Sequence, residues 1–353
     1  MEKRRVQITG GSTYVISLPK RWAEEVDLKR GDYVLLIPQP DLSMLLVPDK
    51  ASAKEANREI ELPPVRDPEA CVKNVIAAYL MGYDVIHVRL PRLPDEGYTD
   101  TIKEVIRHKL VGAEIMGETD NEILIRYLLR YTDLPLKDAI NRIYILTRCM
   151  CADLARALKE RSPRLLRQIC ARDDDVDRLY FLVLRQLREA VRDRKILQDL
   201  GLSTARECLD YQLVARCLER MADHASRAAC VLREALGEVS AEVLGLLKDL
   251  CEECMVMLDK VMKALYKLEV KLANDVIAEA KRAAEIELKT THALMRSTSL
   301  PPATILCIRT SLESLRRLCE YATDIAEIVI DLAVGRESLT ENANPTPKHV
   351  PTT

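Results

Sequence analysis

From residue 133 to 335 the chain places apolar side chains three and four apart with few Pro or Gly residues between them, a period that leaves little room for anything but amphipathic helices. Interruptions at 160–163, 199–203, 237–240, 268–271 and 297–302 cut the region into six helices. Periodic stretches of roughly 25 to 35 residues are the length of bundle helices. The region therefore reads as two tandem three-helix bundles, 133–238 and 239–336. An internal repeat supports the division: the segment LERMADHA at 218–225 recurs as CEYATDIA at 319–326, at the same place in each third helix.

The chain begins differently. Residues 1–49 read strand, strand, short helix, strand, strand, with Gly10 and Gly11 at the first turn, Pro19 opening the helix and Gly31-Asp32 turning into the last two strands. Residues 51–131 alternate helical text (68–81, 98–110) with extended text (85–90, 114–116, 123–129), as in a small α/β unit with a connecting or assembly role. Its His87 and His108 stand alone, which suits solvated or satisfied side chains. Residues 337–353, rich in Pro, Thr and Asn, read as a disordered tail.

The fold class expected is thus mainly α, two three-helix bundles behind a small β module and a small α/β unit. The 353 residues carry 53 basic and 55 acidic side chains, so any binding of nucleic acid must be a local property. Neither a spanning apolar run nor a secretory leader is legible, which points to the cytoplasm. Eleven cysteines in helical text suit reduced, buried thiols; no disulfide is expected, and Cys251-x-x-Cys254 lacks the second pair a zinc knuckle needs.

Charge patterning raises a sharper question. Asp173 and Asp177 lie one turn apart on one helix, where like charges destabilise, so something should compensate them. Two solutions are open: a multivalent cation, or salt bridges from Arg172, Arg178 and Arg185. Glu219 and Asp223 repeat the spacing on the next helix, so two helices could converge four carboxylates, a donor set for Mg, Mn, Fe or carboxylate-bound Zn. In the second bundle Glu320 and Asp324 repeat the pattern, whereas on its second helix the register that aligns Ile286 with Val176 puts Ala283 where Asp173 stands, and only Glu287 replaces Asp177. Catalysis is not expected: a di-iron oxidase would need Glu-x-x-His motifs, and no phosphate-cradling Gly-rich loop or nucleophile elbow is present.

At these residues the helical half resembles the PhoU family, whose acidic E(D)xxxD motifs are matched by Asp173/Asp177, Glu219/Asp223 and Glu320/Asp324. The resemblance implies a regulator of phosphate uptake that binds iron or zinc at those carboxylates and works with a phosphate transporter ATPase or a sensor kinase. The first 49 residues resemble AbrB/SpoVT-type DNA-binding modules through Leu18-Pro19-Lys20 and Gly31-Asp32. A segment this short buries too little by itself, so a homodimer is expected. Lys3, Arg4, Arg5, Lys20, Arg21, Lys29 and Arg30 are its candidate DNA-phosphate contacts, offset in part by Glu24, Glu25, Asp27 and Asp32.

Overall fold

The computed structural model describes residues 2–38, 42–49, 58–92, 95–130, 133–296 and 300–343, with side chains described up to Arg336. The chain divides into two units, Met1–Asn57 and the remainder from Arg58.

In the first unit β1 (Gln7–Thr9) and β2 (Thr13–Val15) form one antiparallel hairpin. Its turn uses Gly10 and Gly11 at φ +65° and +83°, a backbone region open to glycine at little steric cost. The short helix α1 (Lys20–Glu25) follows Pro19, and β3 (Val34–Pro38) pairs antiparallel with β4 (Met44–Pro48). Among its described residues only Pro48 is buried, while Ile8, Tyr14, Tyr33, Leu35 and Leu36 are all more than half exposed.

The second unit opens with a four-stranded sheet in the order β5-β6-β8-β7, made of β5 (Glu59–Leu62), β6 (Val85–Arg89), β7 (Ala113–Thr119) and β8 (Glu122–Tyr127). β5 and β6 run parallel, so the chain must cross over between them, and α2 (Pro68–Leu80) does so. Asp67 caps that helix by accepting from the Glu69 amide, with Pro68 at the first helical position. With α3 (Tyr98–Lys109) it covers one face of the sheet, burying Tyr79, Ile86, Val88, Ile102, Ile106, Ile123 and Ile125. β5 escaped the sequence reading because Glu59 and Glu61 dilute a four-residue strand. His87 is satisfied between the carboxylates of Glu59 and Glu122 on the neighbouring strands.

The rest is helical: α4 (Leu136–Glu160), α5 (Pro163–Arg192), a short α6 (Arg194–Asp199), α7 (Ala205–Ala235), α8 (Ala241–Lys267), α9 (Val270–Arg296) and α10 (Pro302–Ala343). Ser162, Thr204 and Ser240 cap α5, α7 and α8 by accepting an amide three residues on. α4 and α8, the first helix of each bundle, both stop at a non-glycine residue in the left-handed region, Arg161 (φ 50°) and Leu268 (φ 51°), so the repeat extends to the backbone. Arg161 is held there by donating to the Leu236 and Val239 carbonyls between the bundles. One continuous core joins the bundles, and Asp259 of α8 accepts from Tyr144 (2.8 Å) and Arg148 (2.7 Å) of α4.

Three expectations change. α6 is an extra turn of helix in the second connection of the first bundle, capped by Asp193. α10 continues to Ala343, past the expected start of the tail at 337; residues 344–353 lie outside the described residues. Cys170 of α5 and Cys230 of α7 are joined as a disulfide, with Cα atoms 6.2 Å apart, against the expectation of none; a separation of 60 residues hides such a pair in sequence. Seven of the nine free cysteines are buried, Cys251 and Cys254 in the core of α8 among them, while Cys149 is exposed and Cys307 half-buried. Contact with Cys151 and Cys319 pushes the Cys254 thiol well up. No described helix is long and apolar enough to cross a membrane.

Candidate metal centre

The floor of the site is set by apolar packing of α5 against α7. Val176, Tyr180 and Val183 on α5 and Leu218, Met221, Ala222 and Ala225 on α7 are buried. That register brings the adjoining acidic positions together at the margin of the core. Asp177, Glu219 and Asp223 each present a carboxylate oxygen within 4.8 Å of the other two.

Burial makes the arrangement costly for three negative charges. Glu219 is pushed up to about 7, first by burial and next by Asp223. Asp173, one turn before Asp177, is likewise raised to about 7 by burial, with Asp223 and Asp177 adding to it. Burial also raises Asp177. Near neutral pH these groups must keep protons or gain positive charge.

The available positive charge is partial. Arg220 bonds Asp223 at 2.7 Å, and Arg216 reaches Glu219 at 3.3 Å, but both arginines are about two-fifths exposed. Lys109, from α3, lies 3.4 Å from Asp177 and 3.6 Å from Asp174. The Glu219 side chain is 10% exposed, and its Oε2 accepts no hydrogen bond, with Arg220 Nε standing 3.7 Å from it. An oxygen so placed, beside two other carboxylates, fits a divalent cation with oxygen ligands.

The arginines expected to neutralise the helix do other work. Arg172 bonds Asp153 of α4 at 2.8 Å. Arg185 is fully buried and donates to the Tyr79 and Tyr83 carbonyls and to Asp84, at 2.7, 2.8 and 2.7 Å. It thereby fixes the α/β unit to α5, with its guanidinium over the Tyr127 ring at 3.8 Å. Among the described residues Arg178 pairs with no carboxylate, and its buried Nε finds no hydrogen-bond acceptor.

The second bundle is arranged otherwise. Arg316 pairs with both Glu287 (3.6 Å) and Glu320, and Arg317 reaches Glu320 at 2.5 Å. Asp324 is exposed, and Ala283 is buried where the first bundle has Asp173. Guanidinium groups thus stand among the second carboxylate set, and it forms no three-acid group among the described residues.

In the first unit all seven candidate DNA contacts, Lys3, Arg4, Arg5, Lys20, Arg21, Lys29 and Arg30, are exposed. Four are paired locally: Arg4 with Glu2 (2.5 Å), Lys20 with Glu24 (3.6 Å), Arg21 with Glu25 (2.9 Å) and Lys29 with Asp27 (3.1 Å). Sequence reasoning missed Lys109, Arg216 and Arg220 at the acidic centre. Arg216 and Arg220 were findable as the i−3 neighbours of Glu219 and Asp223. Nothing local marks Lys109, which arrives by packing of the α/β unit on α5.

These features define a tandem three-helix-bundle protein with an oxygen-donor centre in its first bundle. Residues 140–232 and 247–329 match the PhoU domain, and residues 7–54 match the family described as antidote-toxin recognition MazE, bacterial antitoxin. Over residues 140–232 and 247–329 the chain belongs to the PhoU domain family. No curated protein matches the chain. Among solved structures, PhoU from Pseudomonas aeruginosa matches at 21% identity and a TM-score of 0.50, covering 57% of this chain and 96% of that one. The phosphate transport system regulatory protein PhoU from Streptococcus pneumoniae matches at 16% identity and a TM-score of 0.49, covering 57% and 94%. The Pseudomonas likeness establishes the fold of the helical half.

Proposed function

We propose that the protein is a cytoplasmic, dimeric, phosphate-responsive regulator of phosphate uptake and not an enzyme. In this reading Asp177, Glu219 and Asp223, with Asp173 beside them, hold a cation, and the first unit binds DNA. The observation that carries it is the convergence of three carboxylates from two helices of a PhoU domain around a buried Glu219 oxygen that accepts no hydrogen bond. A bound cation supplies the positive charge that lets all of these acids ionise together near neutral pH. The donors are all oxygen, which suits Fe, Mn or Mg and accommodates Zn. The arginine-filled set at Glu287, Glu320 and Asp324 takes no metal in this reading.

Dimerisation is supported by the exposed Ile8, Tyr14, Tyr33, Leu35 and Leu36 in a unit that buries almost nothing by itself. A second copy would cover them and double the basic residues, giving DNA phosphates a two-fold face. Metal analysis of purified protein, wild type against the Asp177→Ala, Glu219→Ala double variant, tests the cation half: loss of metal in the variant is expected, and equal content refutes the site. An electrophoretic shift assay on promoter DNA from phosphate-uptake genes tests the other half. Binding at low salt that weakens steeply as salt rises is expected, and no binding at low salt removes it.

One observation favours a second reading. Four of the seven basic side chains are already paired with carboxylates of their own unit, which lowers the positive charge left for DNA. The first unit would then only pair two chains, while the bundles engage a phosphate transporter ATPase or a sensor kinase. A dimer that ignores DNA at low salt but is captured by either partner selects this reading.

A further inference from the structure

The acidic centre has a cation of its own, and it comes from outside the bundle. Lys109 is the last residue of α3, in the α/β unit, yet its ammonium reaches Asp177 at 3.4 Å and Asp174 at 3.6 Å on α5. Its side chain is about one-third exposed, so these pairs are only partly screened by water.

The α/β unit is seated firmly enough for that reach to be reproducible. Besides the buried Arg185, Arg58 bonds Glu189 of α5 at 2.8 Å and the Met81 carbonyl at 2.7 Å. Gly82, at φ +81°, lies so close to α5 that a Cβ there would sit 1.7 Å from the Glu189 carboxylate. α3 is thus a fixed arm, and only the end of its last side chain has alternatives. It can bridge Asp174 and Asp177, or it can keep Asp174 alone, which is two-thirds exposed and outside the three-acid group.

The geometry points to Lys109 as an internal counter-ion that competes with a divalent cation for Asp177, so that cation binding is transmitted to the α/β unit. This rests on the cation-binding reading above and adds its regulation. Coordination draws on the Asp177 lone pairs that Lys109 now uses, and it sets two like charges side by side, so Asp177 cannot serve both fully. The favourable position left to the ammonium is Asp174. Linkage makes the effect reciprocal: whatever Lys109 contributes by pairing with Asp177, the cation must overcome. The last turn of α3 loses its tie to Asp177 on loading.

Calorimetric titration with Mn2+ and hydrogen–deuterium exchange across 98–112, on the full chain, test this in wild type, Lys109→Met and Lys109→Arg. Lys109→Met keeps the length of the stem without the charge and should bind Mn2+ about fivefold more tightly than wild type, the ratio a partly screened ion pair gives. Lys109→Arg keeps the charge and should stay near wild type. Mn2+ should speed exchange at the end of α3 in wild type and leave it unchanged in Lys109→Met, which is already loosened there. Equal Mn2+ affinity in wild type and Lys109→Met overturns the counter-ion role and leaves the cation site standing. Failure of all three proteins to bind Mn2+ removes the cation site and the coupling together.

Discussion

Glu219→Gln should stabilise the cation-free protein at alkaline pH, an unusual result for a substitution in a folded core. The wild-type carboxyl has a pKa of about 7 in the fold against an ordinary value of 4.5. An acid with a raised folded-state pKa retains its proton after the unfolded chain has lost it. The fold is therefore favoured below 4.5 and loses that advantage as the pH climbs toward 7. The gap corresponds to about 3 kcal/mol. Gln cannot ionise and avoids that loss, and the pull of Arg216 and Arg220 on the carboxylate is already contained in the value of about 7. The variant should thus be about 3 kcal/mol more stable at pH 8 in chelator, with the advantage gone near pH 4. Urea unfolding followed by circular dichroism at both pH values measures it. A variant less stable than wild type at pH 8 in chelator would show that Glu219 is already neutralised by its arginines.

Other outcomes follow from the packing. Arg185→Met leaves the Tyr79 and Tyr83 carbonyls and Asp84 without their donor, so it should cost roughly 3–5 kcal/mol in urea unfolding. Leu218→Ala, in the repeat and fully buried, should lower stability by roughly 2–5 kcal/mol in urea titration. Leu36→Asp, on an exposed apolar strand of the first unit, should shift the protein from dimer to monomer in sedimentation without changing its helical signal. Glu122 raises the pKa of His87 by hydrogen bonding, so the stability this pair adds is present below the unfolded histidine pKa and lost as pH rises through the folded one. His87→Gln should abolish that loss in thermal melts run across neutral pH.

The bundles were legible because a 3.6-residue period over 200 residues dominates any local ambiguity, and because Ser162, Thr204 and Ser240 are caps that sequence displays. The acidic positions were legible as pairs on single helices, since spacing of four is a local property. Their convergence was not, for it depends on how Val176 and Leu218 set the register of α5 against α7. The partners were the hardest to foresee. Arg172 and Arg185 sit beside the aspartates in sequence but point to Asp153 and to the α/β unit, whereas Lys109, 68 residues from Asp177, is the one that arrives. β5 and the Cys170–Cys230 link belong with it, as features made by tertiary contact rather than by pattern.

Anomalous diffraction from crystals grown with Mn2+ at pH 8 addresses the oxygen-donor centre most directly. A single strong peak bounded by Asp177, Glu219 and Asp223, with oxygens at roughly 2.0–2.6 Å, is the predicted result. Carboxylates closed on Arg216, Arg220 and Lys109 with no peak among them would contradict it.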